Sequence, residues 1–246
     1  MTTIALVTGA NRGLGFATAR RLAQDGMTVL LGGRDPGRAE RAAAELRADG
    51  LDAHALALDV TDASSIAAAA LLVRQRFGGL DVLVNNAGIL PEATASGARD
   101  PLDVALFEQT FATNVFGAAA VTQAFLPLLA KSSAGRIVNV SSRMGSLTDQ
   151  LDPDSPYHGL VLPAYQASKA ALNGITIALG KRLADTPIRV ASVCPGWVQT
   201  DLGGPDNRAA APLTADEAAT TVVAAARAGA GVAPARFTDA AGPVPW

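Results

Sequence analysis

Ile4-Ala5-Leu6-Val7-Thr8-Gly9-Ala10-Asn11-Arg12-Gly13-Leu14-Gly15 runs from a short apolar stretch into a turn holding three glycines, and then into an alanine-rich helical pattern. Strand, tight turn and helix in that order open a β-α-β unit, and the turn has the form that cradles a dinucleotide. Each glycine has its own work. Gly9 permits the tight turn, Gly13 lets the backbone approach a pyrophosphate, and Gly15 lets the helix pack close, with the phosphates at the helix N-terminus. A glycine triplet alone is weak evidence, so its place between a strand and a helix gives it weight.

Outward from this stretch, β-rich apolar runs near 4–7, 28–32, 53–58, 81–84, 135–141 and 188–194 alternate with helical patterns near 13–25, 37–49, 62–77, 101–131, 163–184 and 214–228. Parallel strands need crossover connections, which put helices on both faces of the sheet. The predicted fold is α/β, one Rossmann-type doubly wound parallel sheet with helices on both faces, a single domain spanning 1–246. The stretches 142–163 and 200–212, rich in Pro, Gly and polar residues, read as loops over a site.

Composition narrows the function. With 49% hydrophobic and 17% charged residues the chain folds, and a net charge of −2 offers no basic surface, so nucleic acid is not an expected partner. The first residues lack a positive region and their apolar run stops at Thr8-Gly9, so no signal peptide or membrane span is read there and a cytoplasmic address is expected. The single cysteine, Cys194, excludes an internal disulfide and reads as a small core residue. No metal site is expected.

Tyr165-Gln166-Ala167-Ser168-Lys169 opens a helix on which Tyr165 and Lys169, four residues apart, share a face. A phenol is a poor base at neutral pH, and an ammonium about 5 Å away at an effective dielectric of about 20 favours its phenolate by about 3 kcal/mol. That is about two pKa units, enough to bring a tyrosine toward acid/base duty. Tyr157 has Val161 at the corresponding position and gains no such partner. Strand 135–141 runs into Ser141-Ser142, hydroxyls at the same sheet edge as the glycine turn.

Thr8 with the Gly-xxx-Gly-x-Gly spacing, Asn85-Asn86-Ala87-Gly88, the strand-end serines, Tyr165-xxx-Lys169 and Cys194-Pro195-Gly196-Trp197-Val198 stand in the order of the short-chain dehydrogenase/reductase family. The chain resembles that family over nearly its whole length, and its carbonyl-reductase branch in the Cys194–Val198 stretch and the closing Pro245-Trp246. The resemblance implies hydride exchange between a nicotinamide cofactor and a carbonyl or alcohol. Tyr165 is then the general acid/base, Ser142 rather than Ser141 holds the carbonyl oxygen, Lys169 binds the nicotinamide ribose and lowers the Tyr165 pKa, and Asn114 holds a relaying water. It also places Asp59 and Val60 beside the adenine, Asn86, Ala87 and Gly88 along the cofactor, and Pro195, Gly196, Val198 and Thr200 near its nicotinamide and phosphates. Asn11 and Leu14 belong to the glycine turn. An Asn inside a helix also commonly bonds backbone, and Trp197 reads equally as buried packing or as substrate contact.

Cofactor choice is read at the end of the second strand, Leu31-Gly32-Gly33-Arg34. The carboxylate that NAD-preferring relatives carry there is missing, and Arg34 with Arg12 suits a ribose phosphate in bidentate geometry. NADP(H) is therefore expected over NAD(H). Asp35-Pro36 reads as an N-cap followed by proline at the first helical position.

The spacing from Ser142 to Tyr165 exceeds the family's usual one, so the chain carries an insertion, shorter than that of animal carbonyl reductases. The wall segments 90–99, 143–162 and 201–213 mix Leu90, Met144, Leu147, Leu151, Leu160, Val161, Leu162 and Leu202 with few charges, favouring an apolar aldehyde or ketone; His158 and Asp152 are polar candidates there. The apolar faces of 101–131 and 163–184 suit a dimer or tetramer, with a monomer open. A cofactor-binding regulator has no need of Ser142, Tyr165 and Lys169 together. An epimerase or dehydratase on this fold usually adds a longer C-terminal domain than the 46 residues after Thr200 provide.

Overall fold

A computed structural model describes residues 2–94, 102–229 and 233–246. Among the described residues seven strands are parallel: β1 (Ile4–Thr8), β2 (Thr28–Gly33), β3 (Ala53–Ala57), β4 (Val82–Asn85), β5 (Arg136–Val140), β6 (Arg189–Val193) and β7 (Ala235–Asp239), with β8 (Gly242–Pro243) antiparallel to β7. They lie in the order β3-β2-β1-β4-β5-β6-β7-β8. The reversal of winding falls between β1 and β4, the point where open α/β sheets bind ligands beyond their carboxyl ends.

The expected Rossmann-type sheet is present, and β7 and β8 extend it beyond the six expected strands. Ala235-Arg236-Phe237-Thr238-Asp239 is short and half-buried, so its apolar run was too weak to read as a strand. Valine and alanine side chains of alternate strand positions, such as Val82, Val84, Val138, Val140 and Val193, pack against α1 (Gly13–Gln24), α2 (Pro36–Ala48) and α9 (Ala215–Ala226). The other face packs Leu6, Leu30, Leu83 and Ile137 against α3 (Ala63–Phe77) and against helix residues Val121, Phe125 and Leu129.

Local chemistry fixes the helix starts. Asp35 accepts from the Arg38 N–H at 3.0 Å with Pro36 behind it, as its sequence context predicts. Asp62 caps α3, and Thr214 and Glu217 form a capping box on α9. The helix expected over 101–131 is not uniform. It consists of α4 (Val104–Phe111), a π-helical segment Ala112–Gly117 and α5 (Ala118–Leu129), while its expected start at 101 lies outside the described residues. By length and composition 104–129 also suffices to cross a bilayer, but half of its most apolar window is buried, and α5 packs on β4, β5 and α3.

The two expected loops also hold structure. Residues 142–163 contain a 3₁₀ turn (Arg143–Gly145) and α6 (Leu147–Leu151), and 200–212 contain a 3₁₀ turn (Asp201–Gly203) and α8 (Gly204–Ala210). Helix α7 (Pro163–Arg182) follows the first of them.

A polar ladder crosses the middle of the sheet. Asn85 donates to Thr122 Oγ1 at 2.9 Å and Asn139 Oδ1 at 2.8 Å, Asn139 donates to Thr176 Oγ1 at 2.9 Å, and Thr176 and Ser192 share a hydrogen bond of 2.8 Å. Asn85, Asn139 and Ser192 are register partners across β4, β5 and β6.

Candidate active site

The glycine turn leaves β1 at the reversal point and is tied to the end of β4. Thr8 Oγ1 accepts from the Asn86 and Ala87 N–H groups at 3.0 Å each, and Asn86 Nδ2 donates to the carbonyl oxygens of Thr8 at 2.8 Å and Gly9 at 3.3 Å. Gly9 has φ +64°, a conformation that side chains disfavour. A Cβ on Gly15 would fall 2.5 Å from both Asn86 Nδ2 and the Gly9 oxygen, which is why the helix must start on glycines. A Cβ on Gly13 would lie 3.3 Å from Thr200 Cγ2, so the turn faces the segment after β6.

Other predicted cofactor residues gather around this turn in different ways. Asn11 lies beside Gly33, whereas the Leu14 side chain packs on the core and leaves only its backbone for a ligand. Val60 packs on Gly117, and the Asp59 carboxylate accepts from the Thr61 N–H at 2.9 Å and hydroxyl at 2.7 Å. Arg34 is exposed at the end of β2. The Arg38 backbone N–H, the nearby arginine charges adding to it, holds the Asp35 carboxyl below its usual range. Arg12 is engaged by a carboxylate. Its Nη1 lies 2.7 Å from Asp201, which Arg208 also contacts at 2.9 Å, and all three side chains are well exposed.

At the end of β5 the catalytic candidates converge. Tyr165 and Lys169 are buried, 7% and 5% exposed, with Lys169 Nζ 5.5 Å from the centre of the Tyr165 ring and donating to the Val140 carbonyl at 2.8 Å. The Ser142 hydroxyl stands close enough to the Tyr165 phenol to oppose in part the rise of its pKa, and it accepts from the Met144 N–H at 3.2 Å. Ser141 points away, its hydroxyl donating to the Lys169 carbonyl at 3.5 Å. The sequence thus brings together the trio it predicts, with Ser142 rather than Ser141 facing the phenol.

The electrostatic expectation needs correction. Burial pushes the Tyr165 phenol above its ordinary value, the Cys194 thiol adds to this, and the Ser142 hydrogen bond only partly opposes it. Burial also lowers the Lys169 ammonium to about 8. The Coulomb argument took the lysine charge as given, but burial acts against both charged forms and is the largest cause of each shift.

Asn114, 1% exposed, sits in the π-helical segment, where π-bulges often mark functional positions. Its amide accepts from the Ile89 N–H at 2.9 Å and donates to the Ile89 carbonyl at 3.0 Å and Ser168 Oγ at 3.1 Å. The side chain is therefore committed to protein groups, and a relay through Asn114 would have to use its main-chain carbonyl. A Cβ on Gly88 would lie 3.4 Å from Asn114 Oδ1 and 3.8 Å from Lys169 Nζ, so this glycine stands directly beside both.

Two features had no signal in the sequence, because their partners are distant along the chain. Glu92, 6% exposed, accepts from the Ala164 N–H at 3.0 Å and the Tyr165 N–H at 2.7 Å. Arg143 clamps the insertion: it meets Asp149 at 2.7 and 3.0 Å and Asp239 at 3.4 Å, and its guanidinium lies 5.3 Å from the Tyr157 ring centre. Trp197 is 51% exposed, which removes its reading as buried packing. Leu147, Leu151, Leu160, Val161 and Leu202 are exposed as well, whereas exposed His158 turns Nδ1 to the Gln150 carbonyl and Asp152 is exposed. Of the expected wall 90–99, residues 95–99 lie outside the described residues.

The family model for short chain dehydrogenases matches residues 3–211. The chain belongs to that family. It is 38% identical over 232 residues to the short-chain dehydrogenase anuI of Penicillium roqueforti, covering 92% of this chain and 89% of the relative. A monensin polyketide synthase putative ketoacyl reductase of Streptomyces virginiae is 40% identical over 202 residues, 81% of this chain and 72% of that one. The crystal structure of NADPH-bound carbonyl reductase from chicken fatty liver superposes with a TM-score of 0.83 at 29% identity, over 100% of this chain and 99% of the other. As a short-chain dehydrogenase the chain is an oxidoreductase of a family that uses nicotinamide cofactors. Its residues fit such a group: α1 starts with no side chain capping its first turn, and the glycine turn excludes side chains where phosphates would lie.

Proposed function

We propose that the chain interconverts an apolar aldehyde or ketone and the corresponding alcohol, using NADP(H) in preference to NAD(H). The observation that carries this reading is the meeting of half-buried Ser142 with buried Tyr165 and Lys169 at the carboxyl end of β5, beside the glycine turn. When bound, the nicotinamide cofactor supplies or accepts hydride.

The chain's own groups handle the oxygen and its proton. Ser142 donates a hydrogen bond to the carbonyl oxygen, and Tyr165 delivers a proton to that oxygen as charge develops on it. The raised phenol pKa suits this direction, since the hydroxyl stays protonated until the oxygen becomes basic. Lys169 keeps a positive charge beside the phenol and stabilises it once the proton has left. The exposed apolar residues around the insertion, with Trp197 and Leu202, favour an apolar substrate over a charged one.

Preference for NADP(H) rests on exposed Arg34 and on Asp35, whose carboxylate is engaged in capping α2. The test follows NADPH and NADH consumption against a panel of apolar aldehydes and ketones. Tyr165→Phe is expected to lower kcat by about 10²- to 10⁴-fold with NADPH still bound, and Arg34→Asp to move kcat/KM toward NADH. Cofactor binding without turnover on any carbonyl or alcohol would overturn the reading, as would an active Tyr165→Phe enzyme.

A further inference from the structure

We propose that Glu92 is a positioning residue for Tyr165, its carboxylate holding the first turn of α7 so that the phenol meets Ser142. This rests on the assignment of Tyr165 as acid/base above.

The start of α7 lacks the means to cap itself. Leu162 occupies the N-cap position and has no side-chain acceptor, and Pro163 follows at the first helical position, where its missing N–H costs nothing. The next two N–H groups belong to Ala164 and Tyr165, residues 0% and 7% exposed, so water does not reach them freely. A side-chain cap ordinarily serves these positions, the second and third of the helix. Here both are taken by one carboxylate from a segment 72 and 73 residues earlier, one oxygen to each at 3.0 and 2.7 Å. A negative charge there also complements the positive end of the helix dipole.

The bond reaches the reacting group by a short path. It ends on the backbone nitrogen of Tyr165 itself, so a shift of the first turn shifts the ring. Glu92 is equally well anchored, lying in the 3₁₀ turn Pro91–Ala93, three residues after Ile89, whose N–H and carbonyl are both held by Asn114. Asn114 also donates to Ser168 on α7. The segment 89–92 thus grips α7 at its first turn and, through Asn114, one turn further along. Lys169 Nζ is separately tied to β5 through the Val140 carbonyl, so loss of Glu92 frees the phenol end of the pair and leaves the ammonium end in place.

The experiment compares Glu92→Ala with the parent and with Tyr165→Phe in the NADPH-dependent reduction of the best substrate in the panel, with amide hydrogen exchange of 163–168 measured on the same proteins. Glu92→Ala is expected to lower kcat by about ten- to a hundredfold, the scale of a small misplacement of a reacting group, with KM for NADPH changed by less than about twofold and faster exchange confined to the start of α7. Adding Leu162→Asp, which supplies a local acceptor for the same N–H groups, is expected to recover most of the lost kcat. If Glu92→Ala fails to fold, Glu92→Gln keeps the length and one acceptor oxygen and is read by the same criteria with a smaller loss. A folded variant with kcat within about twofold of the parent, while Tyr165→Phe is inactive, would overturn the role of Glu92 alone. Loss of kcat and NADPH binding in step, not recovered by Leu162→Asp, would also overturn it, as a general structural defect. An active Tyr165→Phe enzyme would instead overturn the assignment on which it rests.

Discussion

Lys169 shows how burial sets the behaviour of one side chain. Its ammonium sits near 8 in the fold against 10.5 when unfolded, so between these values the unfolded chain holds more of this proton than the native one. Stability contributed by this residue therefore rises with pH from about 8 to 10.5, and a Lys169→Met variant should hold a Tm advantage at pH 7 that shrinks across that window. Thermal melts at a series of pH values check this; an advantage that grows with pH would be against it. Reductive turnover is expected to fall as pH rises through about 8, when Lys169 loses its charge. The pairing of Tyr165 with Lys169 was legible because four residues on a helix is a local geometry, and the choice of Ser142 came from the family resemblance. The sign of the Tyr165 shift was not legible, because it depends on the dryness of the site, which many distant residues create together. Glu92 was hidden for the same reason: a carboxylate in a loop carries no mark of a helix start 70 residues away.

Elements differ in how much of themselves they declare. The cap of α2 and the glycine turn could be read because turn and capping chemistry is contained in a few adjacent residues. The π-helical segment could not, since poor helix formers such as those of Ala112–Gly117 do not say which helical form they take, and the contacts of Gly117 with Val60 and of Asn114 with Ile89 join residues distant along the chain. Helix α8 was hidden among Gly, Pro and Ala, and with it the bridge from Asp201 to Arg12 and Arg208. That bridge ties the segment after β6 to the glycine turn, but pairs this exposed contribute only about 0–1 kcal/mol each. A ribose phosphate can therefore compete for Arg12 at little cost. Asp201→Asn is expected to tighten NADPH binding by about two- to fivefold, the span that 1 kcal/mol allows. Titration of cofactor fluorescence checks it, and weaker binding would show that Asp201 supports the site instead of competing for it.

At the level of the whole molecule, the alternating pattern specified a parallel sheet because both faces of such a sheet must be covered, and it missed β7 and β8 because Ala235–Asp239 mixes Arg, Thr and Asp with few apolar residues and β8 has only two residues. One helical face remains open. Leu102, Val104 and Phe116 are 68%, 67% and 65% exposed, and Phe116 stands edge-on to Phe111, which stacks on Phe107. We infer that this face meets a second copy, so light scattering should give a mass above the 24.9 kDa of one chain, and Phe116→Arg should return it toward that value. A parent protein already at 24.9 kDa would dispose of the idea. The ladder of Asn85, Asn139, Thr176 and Ser192 bears on a different question, how the chain reaches this arrangement at all. Side chains alternate along a strand, so a slip of one residue in β4, β5 or β6 would turn an amide or hydroxyl out of the ladder and into the valine and alanine layer beneath α1 and α9. Hydrophobic contact alone distinguishes poorly among Val-rich strands that are apolar on both faces. The ladder makes each wrong alignment leave polar groups without partners, so it favours the native register of the strands that carry Ser142 and its neighbours.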